Sequence, residues 1–421
     1  MAATRRPDAL PPHLSDKHKH VTCASDAPTY TSTPEYAGVY ASLGIDNSLD
    51  LDELRREVRI DVKSLTADEM VFDVVGIDAP IANALRRILL VEVPTMAIEK
   101  VWVLTNTSII QDEVRAERAA GRASTRAGAA LCVQPRPPRP APPRGPGAYH
   151  ACCAPRDTPH ASPRRAAAQV LAHRLGLIPI RADPARFEER GDSESNESNT
   201  LCFRLTAKCT HNADKSTDAE PYTGARVLSS QLTWVPQGDQ AAGFAAEPPR
   251  PVHDDILIAK LRPGQEIEVE CWCEKGVGKT HAKWSPVATA SYRLLPRITF
   301  HQPVHGPLAA ELKALCPLDV FDIEDVAGVP TAVAARPRSC TVCRECVREP
   351  AWAERVSLQR VRDHFIFSVE STGAMPPDRL VRDALGVLKQ KALDTAQLLK
   401  DTRAQADGDV DMAGAVGAAD E

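Results

Sequence analysis

The first regular pattern begins at residue 58. Val58, Ile60 and Val62 alternate with Arg59, Asp61 and Lys63, the period of a half-buried strand. After a polar turn over 64–69, Met70, Phe72 and Val74 alternate again, which predicts a hairpin. Asp78 is placed to cap a helix and Pro80 fits its first turn. Ile81, Ala84, Leu85, Ile88 and Leu89 then fall at i, i+3, i+4, i+7 and i+8, one apolar stripe on a helix that Pro94 ends. From 97 to 110 the chain returns to strand.

At the far end, Phe365, Phe367 and Val369 alternate, and Gly373 and Pro376-Pro377 break the chain. A long helix is expected from about 378 to about 400, striped by Val381, Ala384, Leu385, Leu388, Ala392 and Leu399, with Gly386 weakening it by about 1 kcal/mol. Between the ends, residues 201–205, 231–235, 255–261, 266–273 and 288–294 read as strands, and Pro263-Gly264 marks a turn. The fold class is therefore α+β: a domain formed by both chain ends, with a second, β-rich domain inserted in the middle. Residues 1–50, polar with scattered Pro, Ser and Thr, read as a flexible tail. Residues 401–421, rich in Ala, Gly and Asp, read as a disordered one.

Composition narrows the function. The 421 residues suit two or three domains, and 43% hydrophobic content allows a sizeable core. With 51 basic and 56 acidic residues, a net of −5 gives no general reason for the chain to grip nucleic acid, so no direct sequence-specific DNA binding is expected. No apolar run approaches the ~20 residues of a bilayer span, and the polar first residues lack the apolar core of a signal peptide. An intracellular protein with no membrane partner is expected, its twelve cysteines mostly reduced, so that a tight cluster points to metal.

The segment FDVVGIDAPIANALRRILLVEVPTMAIEKV, residues 72–101, resembles the first-helix signature of RNA polymerase alpha and alpha-like subunits. So do NTSIIQDE (106–113), VLAHRLGLIPIRADP (170–184), DDILIAKLRPGQEIEVE (254–270), HAKWSPVATASYRLLP (281–296) and DHFIFSVESTGAMPP (363–377), in the family's order. PTMAIEKV and NTSIIQDE look most like the larger alpha-like subunit shared by eukaryotic polymerases I and III; the polymerase II and archaeal counterparts are near relatives. The resemblance implies a non-catalytic assembly subunit of the nucleus, and of the nucleolus for its polymerase I pool. It implies a heterodimer with a smaller alpha-like chain, through Ile81, Ala84, Leu85, Arg86, Ile88 and Leu89 of the first helix and Val381, Leu385 and Leu388 of the last, the pair then docking the two large subunits. Read from the residues alone, the same stripe is first of all filling for this chain's own core, and it is the resemblance that turns it toward a partner.

In the family QDE runs directly into VLAHRLGLIPI. Here residues 114–169 intervene, with ten Arg, no Lys, two acids and no apolar period, a composition that cannot offset the entropy of ordering. One reading is a basic arm that touches nucleic acid. The other is an in-frame intron: Val114 admits a GT start and Gln169 a CAG end.

Cys340, Cys343 and Cys346 stand as C-x2-C-x2-C, the run of a ferredoxin, without its fourth local ligand because residue 350 is Pro. Cys316-Pro317 supplies a Cys-Pro upstream, and four thiolates suit one [4Fe–4S] cluster. Some alpha-like subunits resemble this chain in carrying a ferredoxin-like element here. Structural zinc, or no metal, are the alternatives. An iron–sulfur redox protein is the rival function from another class.

Other motifs fall short. Gly278-Lys279-Thr280 lacks the glycine of a phosphate loop, since position 273 is Cys, and reads as a turn. His173-Arg174 is expected to make buried polar contacts. Asp319, Asp322, Glu324 and Asp325 mark a solvated face. Cys271 and Cys273 share a strand face and, with Cys202 and Cys209, are weak candidates for zinc. The expected domains are 51–113 and 356–400 for dimerisation, 170–310 for the β-rich insertion and 311–355 for the cysteine element.

Overall fold

The computed structural model of the protein describes residues 16–17, 19–31, 51–108, 132–134, 163–191, 193–212, 221–326 and 328–416. Along the chain run β1 (His20–Cys23), β2 (Pro28–Thr29), α1 (Leu51–Glu57), β3 (Arg59–Leu65), β4 (Glu69–Val75), α2 (Ala79–Val91), β5 (Thr95–Asn106) and β6 (Cys132–Gln134). There follow α3 (Pro163–Gly176), β7 (Thr200–Lys208), β8 (Leu232–Val235), β9 (Glu266–Gly276) and β10 (Val287–Phe300). The last elements are α4 (Pro307–Leu315), β11 (Phe321–Val326), β12 (Val329–Ala334), β13 (Val356–Ser371) and α5 (Pro377–Val416), with short strands and one-turn helices between. The fold is α+β, in two compact units: residues up to 86 with 289–370, and residues 87–288 with 371 onward.

The first unit is built on an antiparallel sheet of order β2-β1-β13-β4-β3, with β10 also paired to β13. The predicted hairpin is β3–β4, and its alternation puts Met70, Phe72 and Val74 inside. Phe72 lies opposite Phe367 on β13, their rings stacked at 5.1 Å, and Tyr292 of β10 packs on Phe365 and Phe367. A second cluster of the same unit gathers α4, the β11–β12 hairpin, the cysteine loop and the start of β13 around Phe321, Trp352 and Leu358.

The second unit holds the sheet β8-β7-β9-β5-β6, where β9 pairs β5 from Ile267↔Asn106 to Gly276↔Thr95. Leu171 and Leu175 of α3 join Ile98, Phe203, Leu205 and Val269 in its core. The Pro263-Gly264 turn precedes β9, and Gly264 has φ +84°, where a side chain would be strained.

Four expectations are corrected. Residues 20–29, expected in a flexible tail, form β1 and β2, because β13 offers an edge on which a four-residue strand can pair. The domain limits shift: β5, placed with the dimerisation segment 51–113, lies in the second unit's sheet, and β10, placed with the insertion 170–310, pairs β13. Strand pairing, invisible in one strand's own sequence, decides this. The last helix continues past 400 to Val416, since the segment has no proline and four Ala favour the helix. Residues 417–421, and most of the 114–169 segment, lie outside the described residues. Within that segment β6 pairs parallel to β5, and α3 begins at Pro163, ahead of the expected boundary at 170.

Candidate dimerisation surface and cysteine centre

Helix α2 starts as its sequence predicts: the Asp78 carboxylate accepts from the Ala79 N–H, and its backbone oxygen accepts from Ile81 and Ala82 at 3.1 Å. Its stripe divides by exposure. Leu85, Ile88 and Leu89 are buried within this chain, Ala84 and Arg86 are half-buried, and Ile81 is exposed. Arg86 is held by Asn83 Oδ1 at 2.9 Å.

Helix α5 shows the same division. Leu380, Val381 and Ala384 are buried, Leu388 is half-buried, and Leu385 is 37% exposed. Arg379 pairs with Asp183, and Lys391 pairs with Glu92 at 2.7 Å, fastening α5 beside the end of α2. From Lys391 to Arg403 every side chain is exposed, including Leu393, Leu398 and Leu399 at 54, 65 and 68%. Leu385, Leu388, Ala392 and Leu399 are spaced 3, 4 and 7 apart, so they share one helix face. This face runs on where the chain's own core stops. An apolar seam left open on a helix is a surface for another chain.

The cysteine centre lies in the first unit. Cys316 caps α4, and Cys340, Cys343 and Cys346 follow on a loop beyond β12. All four line one apolar cavity, together with Ile298, Phe321 and Leu358. Cys340 and Cys346 are buried, Cys316 is half-buried and Cys343 is exposed. Backbone N–H groups donate to two of the sulfurs: Val320 to Cys316 Sγ at 3.5 Å and Val342 to Cys340 Sγ at 3.3 Å. The loop winds round the cavity through left-handed residues, Val342 at φ 59° and Arg344 at φ 71°, an uncommon conformation for a β-branched residue. Burial raises the Cys340 thiol, and burial together with the charges of the other three cysteines pushes Cys346 up to about 12. A bound cation would relieve that mutual repulsion, because thiolates bind metal as anions. Among the described residues, no three His, Cys, Asp or Glu side chains are grouped closely enough to hold a single metal ion.

The centre is tied to the sheet through a buried carboxylate that the sequence did not announce. Asp73 on β4 is 2% exposed and meets Arg338 Nη1 at 2.7 Å and His364 Nε2 at 3.2 Å. Burial alone would raise its carboxyl, but the bonds and charges of Arg338 and His364 outweigh burial and hold it below the usual range. Arg293 adds bonds to the carbonyls of Cys340 at 3.2 Å and Arg338 at 2.8 Å. The signal available in sequence was a lone Asp amid the apolar residues of β4.

The remaining motifs are structural. Gly278 lies against the end of α2: a Cβ there would stand 2.6 Å from the Leu90 carbonyl, and Lys279 N–H donates to Val91 O at 2.9 Å. His173 and Arg174, expected to be buried, are exposed on α3, with Arg174 bonded to Leu257 O at 2.8 Å, because α3 turns Leu171 and Leu175 inward instead. Asp319 and Asp322 are paired with Lys313 and Arg336. Cys202, Cys209, Cys271 and Cys273 are core residues, where burial raises the thiols of Cys202 (to about 11), Cys271 and Cys273.

Comparison with known proteins accords with this geometry. The family model described as the RNA polymerase Rpb3/Rpb11 dimerisation domain matches residues 71–392. The human "DNA-directed RNA polymerases I and III subunit RPAC1" is 45% identical over 365 residues, 85% of this chain and 89% of its own. The subunit of the same name from Dictyostelium discoideum is 40% identical, covering 90% of this chain and 93% of its own. That of Saccharomyces cerevisiae is 36% identical, covering 86% and 93%. The match takes in the whole of α2 and α5 as far as Ala392, and the chain belongs to the RNA polymerase Rpb3/Rpb11 dimerisation-domain family.

Proposed function

We propose that this chain is the larger alpha-like subunit shared by RNA polymerases I and III: a nuclear, non-catalytic assembly subunit, nucleolar in its polymerase I pool. It pairs with a smaller alpha-like chain, and the pair forms the platform for the two large catalytic subunits. The observation that carries the reading is the apolar face of α5, continued by Leu385 and Leu399 beyond the buried Val381 and Ala384. The relatives that share most of the chain's length bear the polymerase I and III name. Leu85, Ile88, Leu89 and Val381 then serve as the footing of the interface and Ile81, Leu385 and Leu388 as its contact. Obligate interfaces of this kind often exceed ~2,000 Å² and are rich in apolar residues. Co-expression with the smaller alpha-like chain tests it: a one-to-one heterodimer on size exclusion supports the reading, and two separate species refute it.

The finer architecture belongs to the same proposal: an alpha-like dimerisation domain, a β-rich domain carried on the β7–β9 sheet, and a ferredoxin-like element around the cysteines. That element suits a structural [4Fe–4S] cluster at Cys316, Cys340, Cys343 and Cys346. What supports this reading is that all four cysteines line one cavity, and four thiolates are the ligand set such a cluster takes. N–H···S bonds to Cys316 and Cys340 are of the kind that tune such clusters. Anaerobically purified protein should absorb near 400 nm and contain iron; colourless, iron-free protein overturns this part alone.

A further inference from the structure

We infer that the N-terminal strand pair, residues 20–29, is a strap that closes one wall of the cysteine centre and gates access to its thiols. This rests on reading the four cysteines as one centre. The strap itself lies outside the span matched by the family model.

Five contacts within the first unit carry it. Strand β1 pairs antiparallel with β13 through His20↔Val361, Val21↔Arg360 and Thr22↔Gln359. Continuing that register by one residue sets Cys23 beside Leu358, which lines the cavity. Cys23 is 4% exposed and belongs to the same apolar cluster as Cys340, Cys346, Val347 and Leu358. Arg344, the left-handed residue after Cys343 and itself part of the cavity wall, donates from Nη1 to the carbonyl of Asp26 at 2.9 Å. Farther along, Arg297 Nη1 meets His20 Nε2 at 2.6 Å, and Arg362 donates to the Tyr30 carbonyl.

A two-stranded ribbon of this size is not stable alone. Its order therefore comes from the wall it covers, and by reciprocity the wall is steadied by it. The strap packs a buried Cys23 into the apolar cluster behind the cavity wall and holds the loop by the Arg344 hydrogen bond. Opening it frees the Arg297 side chain and bares the Cys340–Cys346 side while the strand pairing of β13 with β4 and β10 stays in place. A short strand pair at a sheet's edge opens at lower cost than its central strands, so the strap sets how often the buried thiols meet solvent and oxidants.

The test uses the full chain, the Thr22→Pro variant and a variant lacking residues 1–31. Thr22 pairs on both sides, so proline there breaks a ladder bond whichever neighbour its N–H faces. Protein is first treated with chelator, so that the result does not depend on metal, and alkylation by iodoacetamide is followed at each cysteine by mass spectrometry. Both variants should raise the rates at Cys340 and Cys346 by about tenfold or more. Cys202, Cys271 and Cys273, buried in the second unit, should stay at the parent rate. Unchanged rates at Cys340 and Cys346 overturn the inference. So does a parallel rise at all five, since the strap would then support the fold as a whole. Iron content of untreated parent protein is a separate readout: iron-free protein removes the cluster and leaves the strap standing.

Discussion

Replacing Leu385 and Leu399 with Ala tests the seam on α5 without touching the core. The two side chains are 37 and 68% exposed, so a partner has roughly one whole leucine left to cover between them. Fully burying a leucine is worth about 1.5–3 kcal/mol. The double variant should therefore lose about 2 kcal/mol of binding, or roughly thirtyfold in Kd for the smaller alpha-like chain. Ala keeps the helix, and since Leu385 is partly covered by this chain, the isolated chain should lose about 1 kcal/mol of stability at that site and nothing resolvable at Leu399. Calorimetry or surface-immobilised titration reads the affinity, and denaturant unfolding reads the stability. Ile88→Ala is the contrast: this side chain is 3% exposed, and its loss should cost about 2–5 kcal/mol of fold stability before any effect on pairing. An unchanged Kd in the Leu385/Leu399 double variant refutes the assignment of this face to the partner.

The buried Asp73 predicts a pH dependence. Its folded pKa is depressed, so its contribution is present above the unfolded value of about 3.9 and is lost as pH falls through the lower folded value. Asp73→Asn should be less stable at neutral pH and should flatten the loss of stability below about pH 4 in urea titrations; parallel losses in parent and variant would contradict this. Lys283, 2% exposed in its side chain, is paired with Glu99, bonded to Ile98 O at 2.9 Å and set 4.2 Å over the Trp284 ring. Lys283→Met strands a Glu99 that is 17% exposed and should cost about 3–5 kcal/mol by denaturant unfolding. Gly278→Ala drives a methyl group onto the Leu90 carbonyl and should cost about 1–3 kcal/mol in the same assay.

Local period carried the sequence reading a long way. The alternations at 70–74 and 365–369 and the stripe from Ile81 to Leu89 each became the expected element, because half-buried strands and helices write their buried face into one segment, whereas the alternation at 58–62 became a strand, β3, whose Ile60 and Val62 are exposed and not half-buried. What failed needed two segments at once. β1 is four residues long and is a strand only because β13 presents an edge to it. β5 and β10 are unmistakable strands, yet nothing within them tells which sheet each joins. The stripe of α2 was legible as apolar but not as divided, with Leu85 and Ile88 inside and Ile81 outside. At the cysteine centre, spacing brought Cys340, Cys343 and Cys346 together by itself. The approach of Cys316 and the Asp73–Arg338 tie depend on the packing of segments far apart in the chain.

The account is tested most directly by purifying the tagged chain from its own cells and quantifying what comes with it by mass spectrometry. It predicts one smaller alpha-like chain per copy, together with the large subunits of both polymerase I and polymerase III. Recovery of the chain alone, or with polymerase II large subunits in their place, would contradict it.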